Sequence, residues 1–116
     1  MDPKQLEERL IEFASTIIDM TKQMPLSYAS EHLSRQILRS GTSPALNYAE
    51  AQAAESRSDF VHKMKICLKE LRETHVCLKI IAKQAWLPDA QMDNLLKECN
   101  ELVAIFTSST KTAASK

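Results

Sequence analysis

Glycine occurs once in this chain, at Gly41, and aromatic residues are scarce: one tryptophan, two tyrosines and three phenylalanines among 116 residues. Hairpins and sheets draw on glycine at positive φ and on β-branched and aromatic side chains, so the shortage points to an all-α protein. Long apolar runs are missing too. The longest, residues 102–106, falls far short of the ~20 residues that a bilayer-spanning helix needs. Fifteen basic and fifteen acidic residues cancel, which argues against a chain that binds nucleic acid through its overall charge. The three cysteines are odd in number and lack a close CxxC pair, so reduced thiols are expected rather than a disulfide framework. The opening stretch MDPKQLEERL is charged and carries no apolar leader segment; the expectation is a cytoplasmic protein.

What is present is a seven-residue rhythm. Asp2-Pro3 reads as a cap followed by proline in the first turn. Leu6, Leu10, Phe13, Ile17, Met20 and Met24 then recur at alternating spacings of four and three, with Ile11 and Ile18 expected to widen the buried face. Pro25 ends this helix. A second starts near Ser27 or Ser30 and runs to about Ala54. A third opens at Ser56 or Ser58 and carries the seam Phe60, Met64, Cys67, Leu71, Thr74, Leu78, Ile81 and Ala85. After WLPDAQ, a fourth carries Met92, Leu95, Cys99, Leu102 and Phe106. Short connections make neighbouring helices antiparallel, and the repeat nearer 3.5 than 3.6 favours shallow crossings. The predicted fold is an all-α, up-down-up-down four-helix bundle over residues 1–109, with a flexible tail over 110–116.

Gly41 and Pro44 raise one local question. Two arrangements fit: a single long helix kinked at Pro44, or a fresh helix capped by Ser43 with Pro44 at its first position. Leu33, Ile37, Ser40, Pro44, Tyr48 and Ala51 stay in phase across the site, which favours the kinked helix. A lone glycine without GxxxxGK[ST] spacing builds no phosphate cradle.

No catalytic constellation emerges. Asp59-x-x-His62 has no second copy, as a di-iron bundle would require. His32, His62 and His75 share no metal-ligand spacing with the cysteines. Cys67 and Cys99 sit on core seams and Cys77 beside one. The reading is therefore a non-enzyme with no cofactor, no metal and no small-molecule substrate.

Two surfaces carry more information. Gln36, Ser40, Ser43, Asn47 and Glu50 line one flank of the second helix; Asp59, Lys63, Glu70 and Glu73, with Ile66, Cys77 and Ile80 interleaved, line a flank of the third. Such mixed stripes suit subunit contacts, where polar residues set register, or a plain solvated flank. Gln36, Arg39, Ser43, Asn47, Glu50, Ile66, Glu70, Glu73 and Ile80 are the candidate interface residues. Lys65, Lys69, Arg72, Lys79 and Lys83 project opposite the third seam. The first helix region (residues 2–24) carries five acids against three bases, the fourth (87–109) four against one. A basic ridge between acidic flanks suits phosphates or an acidic protein partner, though without aromatics for base stacking; an ordinary solvated lysine face fits it as well.

Two stretches, LSRQILRSGTSPALNYAEA and SDFVHKMKICLKELRETHVCLKII, resemble the 23S rRNA intervening-sequence proteins, also labelled the S23 ribosomal protein family. Gln36, Arg39, Ser40, Ser43, Asn47 and Glu50, then Asp59, Phe60, Lys63, Leu68, Lys69, Glu70, Glu73, Thr74 and Leu78, carry the pattern. The resemblance implies a bacterial bundle that assembles into rings, typically homopentamers, with relatives among accessory proteins of diversity-generating retroelements that contact nucleic acid. It implies no catalytic residue. Val76-Cys77 stands where many members have an aromatic pair, and the neutral charge departs from the basic nucleic-acid-binding relatives. A self-associating scaffold or adaptor is the expectation; an RNA- or DNA-binding accessory protein using the basic ridge is the alternative.

Overall fold

The computed structural model describes residues 1–115. These form four helices: α1 (Pro3–Lys22), α2 (Tyr28–Gln52), α3 (Arg57–Lys83) and α4 (Asp89–Ser115). Local chemistry sets the starts. Asp2 accepts from the Gln5 amide at 2.8 Å while Gln5 returns a contact to the Asp2 amide at 2.9 Å, a reciprocal cap. Ser27 caps α2 through the Ser30 amide and Ser56 caps α3 through the Asp59 amide, both at 3.1 Å. Behind α3, Ala85 takes φ 56°, the left-handed position that usually falls to glycine at a helix end.

α2 runs unbroken through Gly41 and Pro44, so Ser43 does not cap a new helix. Proline removes one backbone donor; nearby, the Thr42 hydroxyl donates to the Leu38 carbonyl at 2.6 Å and the Cys67 thiol to the Pro44 carbonyl at 3.5 Å. Gly41 does more than permit a bend. A Cβ built there would stand 3.1 Å from Cγ2 of Ile17 on α1. The glycine is what lets the two helices approach.

Consecutive helices pack side by side, α1 on α2, α2 on α3, α3 on α4, in a rod of 46 × 23 × 21 Å. The pairings Leu33 with Cys77, Ser40 with Thr74 and Pro44 with Cys67 advance along α2 as they run back along α3, so those helices are antiparallel. The whole first seam is buried, as are Met92, Leu95, Cys99, Leu102 and Phe106 of the fourth. Each such side chain contributes about 1.5–3 kcal/mol of transfer free energy. Phe106 meets the Tyr48 ring edge-on, centroids 5.6 Å apart.

Three expectations need correction. Ile11 and Ile18 do not widen the core; both are exposed, because α1 presents only one stripe to its neighbours. On α3, Ala85 is exposed beyond the helix end. The segment expected to be a flexible tail is helical through Ser115, with Thr110 buried against the bundle; Lys116 lies outside the described residues.

Candidate functional site

The polar stripes of α2 and α3 face each other within one chain. The Arg39 guanidinium reaches Glu70 at 2.9 Å and also Glu73. Gln36 donates to Glu73 at 3.4 Å, and Lys63 lies 3.5 Å from Glu50. Deeper in the same seam, the Thr74 hydroxyl donates to the Glu70 carbonyl at 2.8 Å and hydrogen-bonds the Ser40 hydroxyl at 2.9 Å. Ser40 and Thr74 are fully buried, so this contact satisfies groups that water cannot reach. Asn47 bonds back to Ser43 at 2.8 Å on its own helix. The stripes thus form an intrachain ladder that fixes how α3 registers on α2. Ile66 and Ile80, each seven residues from Glu73, flank it; Ile66 is half-buried and Ile80 exposed.

The basic ridge stands where the sequence placed it. Lys65, Lys69, Arg72, Lys79 and Lys83 are all exposed, and among the described residues none joins an ion pair. Val76 and Ile80 break through the ridge as apolar islands, 55% and 45% exposed, lining a shallow surface groove with Lys79, Lys83 and Gln84.

Other large apolar side chains are also exposed. Ile11 and Ile18 on α1 are 54% and 39% exposed, and Leu46 on α2 is 66% exposed. The close approach of Ile17 to Gly41 fixes where α1 lies on α2. Leu38 and Ala45 of α2 are half-buried, and Ala45 packs against the core. The available signal was Leu46 itself, an apolar side chain half a turn out of phase with Ile37, Pro44 and Tyr48. Across the bundle, Arg9 closes α1 on α4 through Glu98 at 2.6 Å and Glu101 at 3.2 Å. The hydrogen bond to Glu98 raises the arginine's already high pKa further.

Burial pushes the thiols of Cys67 and Cys99 up to about 12 and that of Cys77 up to about 11, away from the reactive thiolate. His75 is lowered, first by burial and then by Lys79. His32 and His62 are exposed. Among the described residues no three His, Cys, Asp or Glu side chains converge. A groove of about 320 Å³ between α1 and α4 has Phe13 and Leu95 as its floor and Glu12 and Glu98 at its rim, with Glu98 already held by Arg9. Among the described residues no helix is long and apolar enough to cross a membrane.

The family model described as 23S rRNA-intervening sequence protein matches residues 5–108. A crystal structure from Bacteroides thetaiotaomicron, of a protein with unknown function from the S23 ribosomal protein family, superposes with a TM-score of 0.84 at 32% identity, over 90% of this chain and 97% of that one. A search of curated proteins returns no match.

Proposed function

The chain belongs to the 23S rRNA-intervening sequence protein family, and from that premise we propose that it acts by self-association, as a non-enzymatic scaffold or adaptor. One observation carries the reading: Ile11, Ile18, Leu46, Val76 and Ile80 are exposed although the bundle's core is already filled without them. Val76 and Ile80 lie together along one shallow groove, and contiguous exposed apolar surface supports a docking face. The resemblance to ring-forming relatives extends the proposal to a closed homo-oligomer, with five copies as the expected number, in the cytoplasm. The ladder residues Gln36, Arg39, Glu70 and Glu73 support it indirectly, since a stiff α2–α3 pair offers preorganised surfaces to a neighbour. Light scattering on the purified chain at micromolar concentration is the test. A mass several times 13.1 kDa is expected; a monomer overturns the reading.

The five free cations of α3 support a second reading, an accessory protein that binds RNA or DNA, as the relation to retroelement accessory proteins would have it. Contacts of this kind release counterions, so affinity falls steeply with salt. Replacing Lys65, Lys69 and Lys83 by glutamate would abolish it, and absence of binding in low salt removes this reading.

A further inference from the structure

Three seams of the bundle are closed by near approach of the backbones, α1 on α2, α2 on α3 and α3 on α4; the seam between α1 and α4 is looser. In it lies the groove of about 320 Å³. Its lining keeps register: Glu12, Phe13 and Thr16 advance along α1 while Glu98, Leu95, Asn94 and Gln91 run back along α4, so the groove follows the helix axes. Arg9, one turn before Glu12, ties off one end by reaching Glu98 and Glu101. We propose that this groove is a binding site for a small amine, its hydrocarbon body resting on Phe13 and Leu95 and its ammonium held between the Glu12 carboxylate and the side-chain oxygens beside it. The site lies within one chain and owes nothing to self-association.

Size, floor and charge each narrow the occupant. Small-molecule sites span roughly 300–1,000 Å³, and this groove stands at the lower end of that range. It has room for one ring or a short chain; an α-helix, about 10–12 Å across with its side chains, does not fit. Phe13 and Leu95 are 2% and 3% exposed, so the floor is fixed by the core and formed in advance. Both ionisable groups on the lining are carboxylates. Arg9 neutralises Glu98, whereas Glu12 enters no ion pair among the described residues. α1 and α4 are also the two helices with more acids than bases. A cleft flanked by one sign of charge concentrates the opposite ion and repels its own, so the groove selects cations over phosphates and carboxylates. An ammonium carries three donors. Glu12 accepts one. The Thr16 hydroxyl gives its proton to the Glu12 carbonyl at 2.9 Å, which leaves its oxygen to accept a second. Asn94 and Gln91 bring amide oxygens from α4. A cation seated there joins α1 to α4 one turn beyond the place where Arg9 already does, and so tightens the looser seam.

The experiment is an NMR titration of the full chain with phenethylamine at neutral pH and low salt, beside 2-phenylethanol, its uncharged counterpart, and phenylacetate, an anion of similar size. Saturable amide shifts centred on residues 12–16 and 91–98 are expected with the amine. The amine should bind about tenfold tighter than the alcohol, and phenylacetate should not bind. Glu12→Gln should weaken the amine about tenfold and leave the alcohol unchanged. Asn94→Trp, at an exposed position, should fill the groove and abolish binding of both, with circular dichroism showing the helices intact. Should that variant fail to fold, Thr16→Phe fills the groove from α1 and is read in the same way. No saturable shift with the amine, or shifts centred elsewhere, overturns the site. Amine and alcohol binding alike, with Glu12→Gln silent, overturns the selection by charge and the proposal with it.

Discussion

Adding one methyl group at position 41 tests the packing logic of the whole bundle. Alanine in the middle of a helix is favoured over glycine by about 1 kcal/mol, through lower backbone entropy in the unfolded chain. Against that gain stands Ile17. The new Cβ would come within 3.1 Å of Cγ2 and 3.2 Å of Cγ1, where carbon atoms prefer about 3.5–4.0 Å. Ile17 is fully buried, so it can yield only by displacing its own neighbours. Overpacking of this kind costs about 1–3 kcal/mol. The net effect of Gly41→Ala is a loss of up to about 2 kcal/mol. Shortening Ile17 to alanine alone removes buried volume and costs about 2–5 kcal/mol. In that background Gly41→Ala no longer collides and fills part of the cavity, so it becomes stabilising by about 1 kcal/mol or more. The double-mutant cycle should therefore show a favourable coupling of about 2 kcal/mol. Urea unfolding of the four proteins at one fixed protein concentration measures it. Additive effects, or a Gly41→Ala variant stabilised equally in both backgrounds, would refute the argument that close approach is why position 41 is glycine.

Arg39→Ala should cost about 1–2 kcal/mol in urea unfolding, more than Gln36→Ala, because it strips the nearly buried Glu70 of its cation while half of the arginine was exposed to begin with. Ala85→Gly should stabilise by about 0.5–1 kcal/mol, since alanine is strained at φ 56° and glycine is not. Raised thiol pKa values predict a stability that is full below about pH 9 and declines as pH climbs toward 12, because the unfolded chain loses those protons while the folded one retains them; urea midpoints that stay flat across this window contradict it. For the same reason iodoacetamide at pH 8 should alkylate Cys67 and Cys99 only as fast as the chain opens, and mass spectrometry showing prompt labelling would count against their burial.

The heptad seams at Leu6 to Met24 and at Met92 to Phe106 were legible because an apolar residue at every third or fourth position has one consistent explanation, burial on one helical face. The unbroken α2 could be read in the same way, from the phase kept between Ile37 and Tyr48. The polar stripes could be located, but not what they met. Gln36, Arg39, Glu70 and Glu73 sit on flanks that periodicity places between core and solvent, and the pattern does not say whether the facing helix belongs to the same chain.

Residue order alone therefore determined the helices, their limits to within a few residues, the buried stripe of each and the exposed lysine ridge, because these depend on near neighbours and on the 3.6-residue turn. The tertiary structure alone decided three things: that Arg39 pairs with Glu70 and Glu73 of the same chain, that Gly41 is there for Ile17, and that Ile11 and Ile18 stay exposed beside a filled core. Each depends on which helices lie side by side and at what register. That is set by the collective packing of distant side chains, which no local spacing encodes.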